Sequence, residues 1–175
     1  GSQYTQLIAR RVRENNVYSE ILPSDTSLKT VVSKNPKAII LSGGPASVFT
    51  DEAPSFNEGI LNIDVPILGI CYGLHLLVHH NGGIVESTGE GEYGVASIKI
   101  NIDKGITKNM STSSKVWMSH MDQVTVIPKG WDIIAYSSNN IVAAMASNDH
   151  RRIATQFHPE VSHTEEGNVL LKNFL

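Results

Sequence analysis

The chain has a single cysteine, Cys71, set between two glycines in Gly69-Ile70-Cys71-Tyr72-Gly73, and a histidine and a glutamate one residue apart in His158-Pro159-Glu160. Thiolate, imidazole and carboxylate are the parts of a nucleophilic acyl-transfer site: sulfur attacks, imidazole moves the proton, and the carboxylate orients the ring. Residues two apart on an extended backbone point to the same side, so Glu160 can bond one imidazole nitrogen and leave the other for sulfur. Pro159 holds the angle between them. Each part also has a plainer reading. A solitary cysteine is often a small buried hydrophobe, and a His-x-Glu tripeptide can be incidental.

The flanking elements favour the chemical reading of Cys71. Pro66 can open a strand, and Ile67, Leu68 and Ile70 form the short apolar run of a parallel strand covered on both faces. Leu74, Leu77 and Val78 then recur at helical spacing. Cys71 therefore sits at a strand-to-helix joint, where the backbones converge and the residues two before and two after must lack bulk. This is the logic of the G-x-S-x-G nucleophile elbow with sulfur in place of hydroxyl. The N-terminus of the following helix favours thiolate, and the Tyr72 N–H is one candidate oxyanion donor.

A second joint follows the apolar run Ala38-Ile39-Ile40-Leu41 at Ser42-Gly43-Gly44-Pro45. Two glycines free the backbone to turn its N–H groups toward a ligand, and Gly44 keeps a donor that Pro45 lacks. Alone, such a turn merely ends a strand. The rest of the chain supplies the frame. Tyr4, Leu7, Ile8 and Val12 mark an amphipathic helix, Val17 to Leu22 a short strand, and Ser27 to Ser33 a helix closed by Asn35-Pro36. Asp51 to Leu61 reads as a helix burying Phe56, Ile60 and Leu61.

From Ile84 to Ser147 the pattern has period two, which predicts several short strands. Ile153 to Phe157 is one more strand, and Glu165 to Leu175 is a closing helix with Val169, Leu170 and Phe174 on its stripe. The order predicts one α/β domain over residues 1–175, three-layered and mostly parallel, with a small antiparallel appendage.

A chain of 175 residues with 41% hydrophobic content suffices for one buried core. A net charge of −3 without basic runs argues against nucleic acid as a partner. Its apolar runs are too short to span a bilayer, which removes the membrane as a partner. One cysteine rules out an internal disulfide, and no signal peptide is present, so a reducing cytoplasmic setting is the default. His75, His79 and His80 invite a metal reading, but no carboxylate completes the set, and no metal is expected.

Five blocks in order carry a family resemblance: Gly-Ser-Gln-Tyr-Thr-Gln-Leu-Ile-Ala-Arg-Arg-Val-Arg-Glu from Gly1, Ser42-Gly43-Gly44-Pro45, Gly69 to Gly73, Trp117-Met118-Ser119-His120, and Gln156-Phe157-His158-Pro159-Glu160-Val161. Along its full length the chain resembles the glutamine amidotransferase domain of GMP synthetases, of the class I (triad) type. The resemblance implies a flavodoxin-like fold with Cys71 as nucleophile, His158 as base and then acid, and Glu160 orienting the imidazole. Gly44 and Tyr72 would be the oxyanion donors, and His75, Ser119 and His120 would lie near substrate. L-glutamine would be the substrate and a synthetase domain the partner. The family's opening strand and synthetase region, with its ATP and magnesium, would lie outside these residues, leaving no cofactor here.

Three positions depart from the family pattern. His75 replaces a glutamine that contacts substrate, Met121 replaces a glycine whose positive φ methionine resists, and Gly91 replaces an arginine. They lead us to expect weak or partner-dependent glutaminase activity. Two other readings stay open: a cysteine hydrolase acting on other γ-glutamyl or peptide substrates, and a non-catalytic binding module.

Overall fold

The computed structural model describes residues 4–44, 55–103 and 105–175. Three short parallel strands carry the predicted joints: β1 (Ile39–Leu41), β2 (Ile67–Ile70) and β7 (Arg152–Thr155). Ile39 faces Ile67 across β1 and β2, and Ile67 faces Arg152 across β2 and β7. Parallel neighbours end on one edge of the sheet, the usual place for a site in α/β proteins. On that edge β1 runs into Ser42-Gly43-Gly44, β2 into Cys71, and β7 toward His158.

Beyond β7 the sheet changes direction. β6 (Val142–Ser147), β5 (Trp131–Ser137), β3 (Ile84–Ile100) and β4 (Ser113–Val126) follow in the order β1-β2-β7-β6-β5-β3-β4. All four pairings from β7 outward are antiparallel. This corrects the expectation of a mostly parallel sheet with a small antiparallel appendage: the antiparallel strands are the larger part of one continuous sheet, seven-stranded among the described residues. The cause is connectivity. A parallel partner requires a crossover of a dozen residues or more, usually helical, and between β3 and β6 the only helical turn among the described residues is the 3₁₀ turn Gly105–Thr107.

Alternation along the strands divides the core in two. Leu68, Ile70 and Ile153 pack with Ile8 and Val12 of α1 (Thr5–Glu14) and with Leu170 and Leu171 of α4 (Gly167–Phe174). Ile67 and Ala154 pack instead with Leu74, Leu77 and Val78 of α3 (Tyr72–His80), together with Val85, Val124 and Met145. The apolar stripes expected on these helices are the surfaces they bury. α2 (Leu28–Ser33) starts where expected, because the Ser27 side chain accepts the Thr30 N–H at 3.2 Å.

Two further expectations are revised. Val17 to Leu22 is irregular rather than a strand. It is held by side chains, with Arg13 donating to the Ser19 carbonyl at 3.0 Å and the Ser19 hydroxyl to the Ala9 carbonyl at 3.1 Å. The helix expected over Asp51 to Leu61 is only a 3₁₀ turn, Glu58–Asn62; residues 51–54 lie outside the described residues. Asn57 caps Gly59 N–H at 3.0 Å, and Gly59 disfavours extension into an α-helix. Ile60 and Leu61 are buried as expected. Arg152 fastens the next stretch to the sheet, donating to the carbonyls of Leu61, Ile63 and Val65 at 2.9–3.0 Å.

Candidate active site

The elbow at Cys71 follows from its two glycines. A Cβ on Gly69 would press on the Gly73 carbonyl and on Leu77 Cδ1 at 2.8 Å; one on Gly73 would press on the Leu41 carbonyl and on Leu41 Cβ at 2.8 Å. Only bare backbone lets α3 start this close to β1 and β2. Cys71 takes up the bend with φ 53° and ψ −106°, a conformation that L side chains resist. Its N–H donates to the Thr155 carbonyl at 2.7 Å, and its carbonyl accepts from Leu74 N at 2.9 Å. The sulfur thus stands before the first turn of a helix, where N–H groups lack intrahelical partners.

His158, just past β7, is held against β4. Its N–H donates to the Trp117 carbonyl at 3.0 Å, and the Thr164 hydroxyl donates to its carbonyl at 2.6 Å while accepting from Trp117 N at 3.0 Å. His158 Nδ1 and Glu160 Oε1 are 2.8 Å apart, and both side chains are buried. Arg11 Nε donates to the Glu160 carbonyl at 3.0 Å, and the Tyr4 ring meets the imidazole edge-on at 5.3 Å. Burial alone would strip the proton from His158, but hydrogen bonds and charge from Cys71 and Glu160 outweigh it and push its pKa up to about 9. At neutral pH the ring is an imidazolium beside the sulfur.

The loop after β1 closes the site from the other side. A Cβ on Gly43 would lie 3.1 Å from His158 Cε1 and 3.4 Å from Cys71 Cβ; one on Gly44 would lie 3.8 Å from the Tyr72 ring. Thr5 Oγ1 donates to Ser42 Oγ at 3.0 Å, tying this loop to α1. Sulfur, imidazole, carboxylate and the two glycine-bearing turns therefore meet at one rim, although they come from β1, β2 and β7.

The three remaining predicted positions diverge. Ser119 is exposed at the rim, and its carbonyl oxygen lies 3.7 Å from the Cys71 sulfur. His120, one residue on, turns to the interior, with Nε2 3.3 Å from Glu92 Oε2 and Nδ1 3.0 Å from the Asp122 carbonyl. Glu92 Oε1 also accepts from Ser137 Oγ at 2.7 Å and Asn139 Nδ2 at 2.8 Å. His75 is buried as well, with Nε2 3.1 Å from Gln156 Oε1. Burial holds both histidines below the ordinary imidazole pKa, despite the bonds from Glu92 and Gln156 that work the other way.

Sequence reasoning gives Gln156 and Glu92 no role of their own, since their pairing across the fold leaves no local signal. His80 faces elsewhere, with Nδ1 3.6 Å from Glu58 Oε2. Met121 does not require a left-handed backbone. It lies in β4, and it is not among the residues with positive φ. Gly91 opposes it, since a Cβ there would meet Met121 Cα at 3.1 Å, leaving no room for the arginine of the family pattern.

A parallel-edge elbow with a buried histidine–glutamate pair is the architecture of a triad amidotransferase, and the comparisons with known proteins agree. The family model of class-I glutamine amidotransferases matches residues 1–175. The chain belongs to that family. It is 49% identical over 174 residues to a GMP synthase (glutamine-hydrolyzing) of Campylobacter jejuni, and 49% identical over 175 residues to the protein of the same name from Clostridium tetani. These alignments cover 99% and 100% of the chain but 34% of each relative, so the chain spans about a third of their length. Among solved structures, a GMP synthase subunit protein from Thermoplasma acidophilum superposes with a TM-score of 0.85 at 26% identity, over 99% of this chain and 87% of the other. A glutamine amidotransferase from Thermotoga maritima shares the fold, with a TM-score of 0.74 at 21% identity, over 89% of this chain and 70% of the other.

Proposed function

We propose that this chain hydrolyses L-glutamine to glutamate and ammonia through a thioester on Cys71, and that the ammonia serves a synthetase region converting XMP to GMP. The observation that carries the reading is the buried His158 ring, with Nδ1 2.8 Å from Glu160 Oε1 and a hydrogen bond to the Cys71 sulfur, a setting that raises its pKa. A thiolate–imidazolium pair is the resting state this chemistry needs.

In the first half, the Cys71 sulfur attacks the side-chain carboxamide carbon, forming a C–S bond and turning the carbonyl oxygen into an oxyanion. The N–H groups of Gly44 and Tyr72 hold that charge; losing one such donor costs acyl-transfer enzymes about 10²–10³ in rate. His158 gives its proton to the nitrogen, the C–N bond breaks, and ammonia leaves. In the second half, His158 takes a proton from water as the oxygen adds to the thioester carbon. The C–S bond then breaks, restoring thiolate and imidazolium, and glutamate sheds its own proton to solvent. Ser119 is the predicted substrate neighbour that lies at the rim. His75 and His120 would act on substrate only indirectly, from behind it.

ATP and magnesium belong, on this reading, to the synthetase region, which is also the main protein partner. A reactive thiol suits the reducing cytoplasm. Among the described residues no helix is long and apolar enough to cross a membrane.

The test is mass spectrometry of the chain after treatment with a glutamine-mimicking electrophile, together with ammonia release from glutamine. Labelling confined to Cys71 with release of ammonia is expected. Hydrolysis of γ-glutamyl peptides but not glutamine would replace the proposal with the hydrolase reading, and glutamine binding without any thioester would replace it with a binding module.

A further inference from the structure

The sulfur has a neighbour that the Cys-His-Glu set does not include. Gln156, fully buried just past β7, directs Nε2 at Cys71 Sγ across 3.9 Å and Oε1 at His75 Nε2 across 3.1 Å. A carboxamide has one donor end and one acceptor end, so the two contacts are coupled. An imidazole N–H on Oε1 turns the NH2 toward sulfur; an imidazole lone pair would turn the amide over and present its oxygen instead. Burial keeps the His75 ring neutral, so it carries one proton; placed on Nε2, that proton satisfies Gln156 Oε1.

We propose that His75 is a positioning residue which, acting through Gln156, aims an amide N–H at the Cys71 sulfur. The proposal rests on Cys71 being the nucleophile. It gives the sulfur a neutral donor besides the charged one. His158 must surrender its proton when ammonia leaves, whereas the Gln156 N–H stays in place through both halves of the reaction. It also supplies a role for the histidine at 75, buried four residues along the helix from the nucleophile, where no substrate atom need reach it.

The ionisable groups around this relay come from several elements. His158 and Glu160 follow β7, and His158 bonds the same sulfur. Asp122 and His120 face His75 from β4, the Asp122 backbone carbonyl lying alongside the ring, and Glu92 of β3 stands behind His120. The Asp122 carbonyl offers an alternative home for the His75 proton, on Nδ1. That alternative is the state the proposal excludes while sulfur is charged.

The relay is read without glutamine, by the pH dependence of iodoacetamide alkylation at Cys71. The full chain is compared with His75→Leu, Gln156→Leu and His75→Gln, with near-ultraviolet circular dichroism to verify packing. Both leucine variants are expected to react about tenfold more slowly at neutral pH, with the midpoint of the alkylation profile moved upward, since thiolate is the reacting form. The donor swap, His75→Gln, restores an N–H to Gln156 Oε1 and is expected to return the profile to that of the parent. Unchanged profiles in the leucine variants, or a His75→Gln chain that behaves like His75→Leu, would overturn the relay.

Nitrogen-15 NMR of the parent, which needs no variant to fold, should find the His75 proton on Nε2 above the pH where Cys71 becomes alkylatable; a proton on Nδ1 there would equally overturn it. Should the chain fail to hydrolyse glutamine while these readouts behave as stated, the proposed function fails and the relay stands.

Discussion

His158 and His120 meet the same kind of partner in the same kind of place. Both rings are buried, and each lays one nitrogen on a glutamate oxygen, at 2.8 Å to Glu160 and 3.3 Å to Glu92. Burial works against charge on both, yet the first is pushed up to about 9 while the second stays below the ordinary imidazole range. The difference lies in what else each pair touches. His158 has the Cys71 sulfur as well as Glu160, and both draw a proton onto it. Glu92 divides its hydrogen bonds with Ser137 and Asn139, and the charge of His158 opposes a second cation nearby. A histidine beside a carboxylate is a proton store only when its surroundings favour the cation; otherwise the pair is a fastening between strands.

The strongest challenge to that distinction exchanges carboxylate for carboxamide in each pair. Glu160→Gln is expected to lower kcat for glutamine hydrolysis by about 10²–10⁴-fold, the range spanned by loss of a general acid–base or its orienting group. Glu92→Gln keeps an oxygen for Ser137 and Asn139 and should leave kcat near that of the parent. Equal losses in steady-state ammonia release would erase the contrast.

Glu92→Leu tests the fastening itself. Removing the carboxylate strands the buried Ser137 hydroxyl, and unsatisfied buried polar groups cost about 1–3 kcal/mol. Urea denaturation should show a lower midpoint; an unchanged one would mean the network contributes nothing.

The smallest effect is on stability against pH, where the two kinds of histidine act in opposite senses. His158 binds its proton more tightly folded than unfolded, so its contribution is fully present below the unfolded value of 6.5 and is lost as pH rises through about 9. His120 and His75 bind theirs less tightly, so their contribution is present above 6.5 and is lost as pH falls below it. The melting temperature should therefore decline on both sides, by about 2–4 °C for each kcal/mol in a chain of this size. Cys71→Ala should flatten the alkaline decline alone. Flattening of the acid side as well would show that the histidines are not separable.

What can be read from the sequence is whatever sterics or periodicity writes locally. The need for bare backbone at Gly69 and Gly73 marks the elbow, and helical stripes at Leu74, Leu77 and Val78 mark the face that is buried. Strand direction is not legible, because period two reports which side a residue faces and says nothing of the neighbouring strand's sense. Nor are the interior polar pairs, since Gln156 meets His75 across 81 positions and Glu92 meets His120 across 28. Position 121 misleads, because a residue standing for glycine need not inherit its φ. In the structure β4 simply continues through Met121, and the opposing Gly91 leaves the space.

The backbone at position 71 is bent into a shape that glycine would accept and cysteine resists. Chains selected for heat tolerance alone would thus be drawn to discard the one atom that reacts. Vigour and durability pull in opposite directions at a single codon, so a survey of hardier variants should find inert ones among the first survivors.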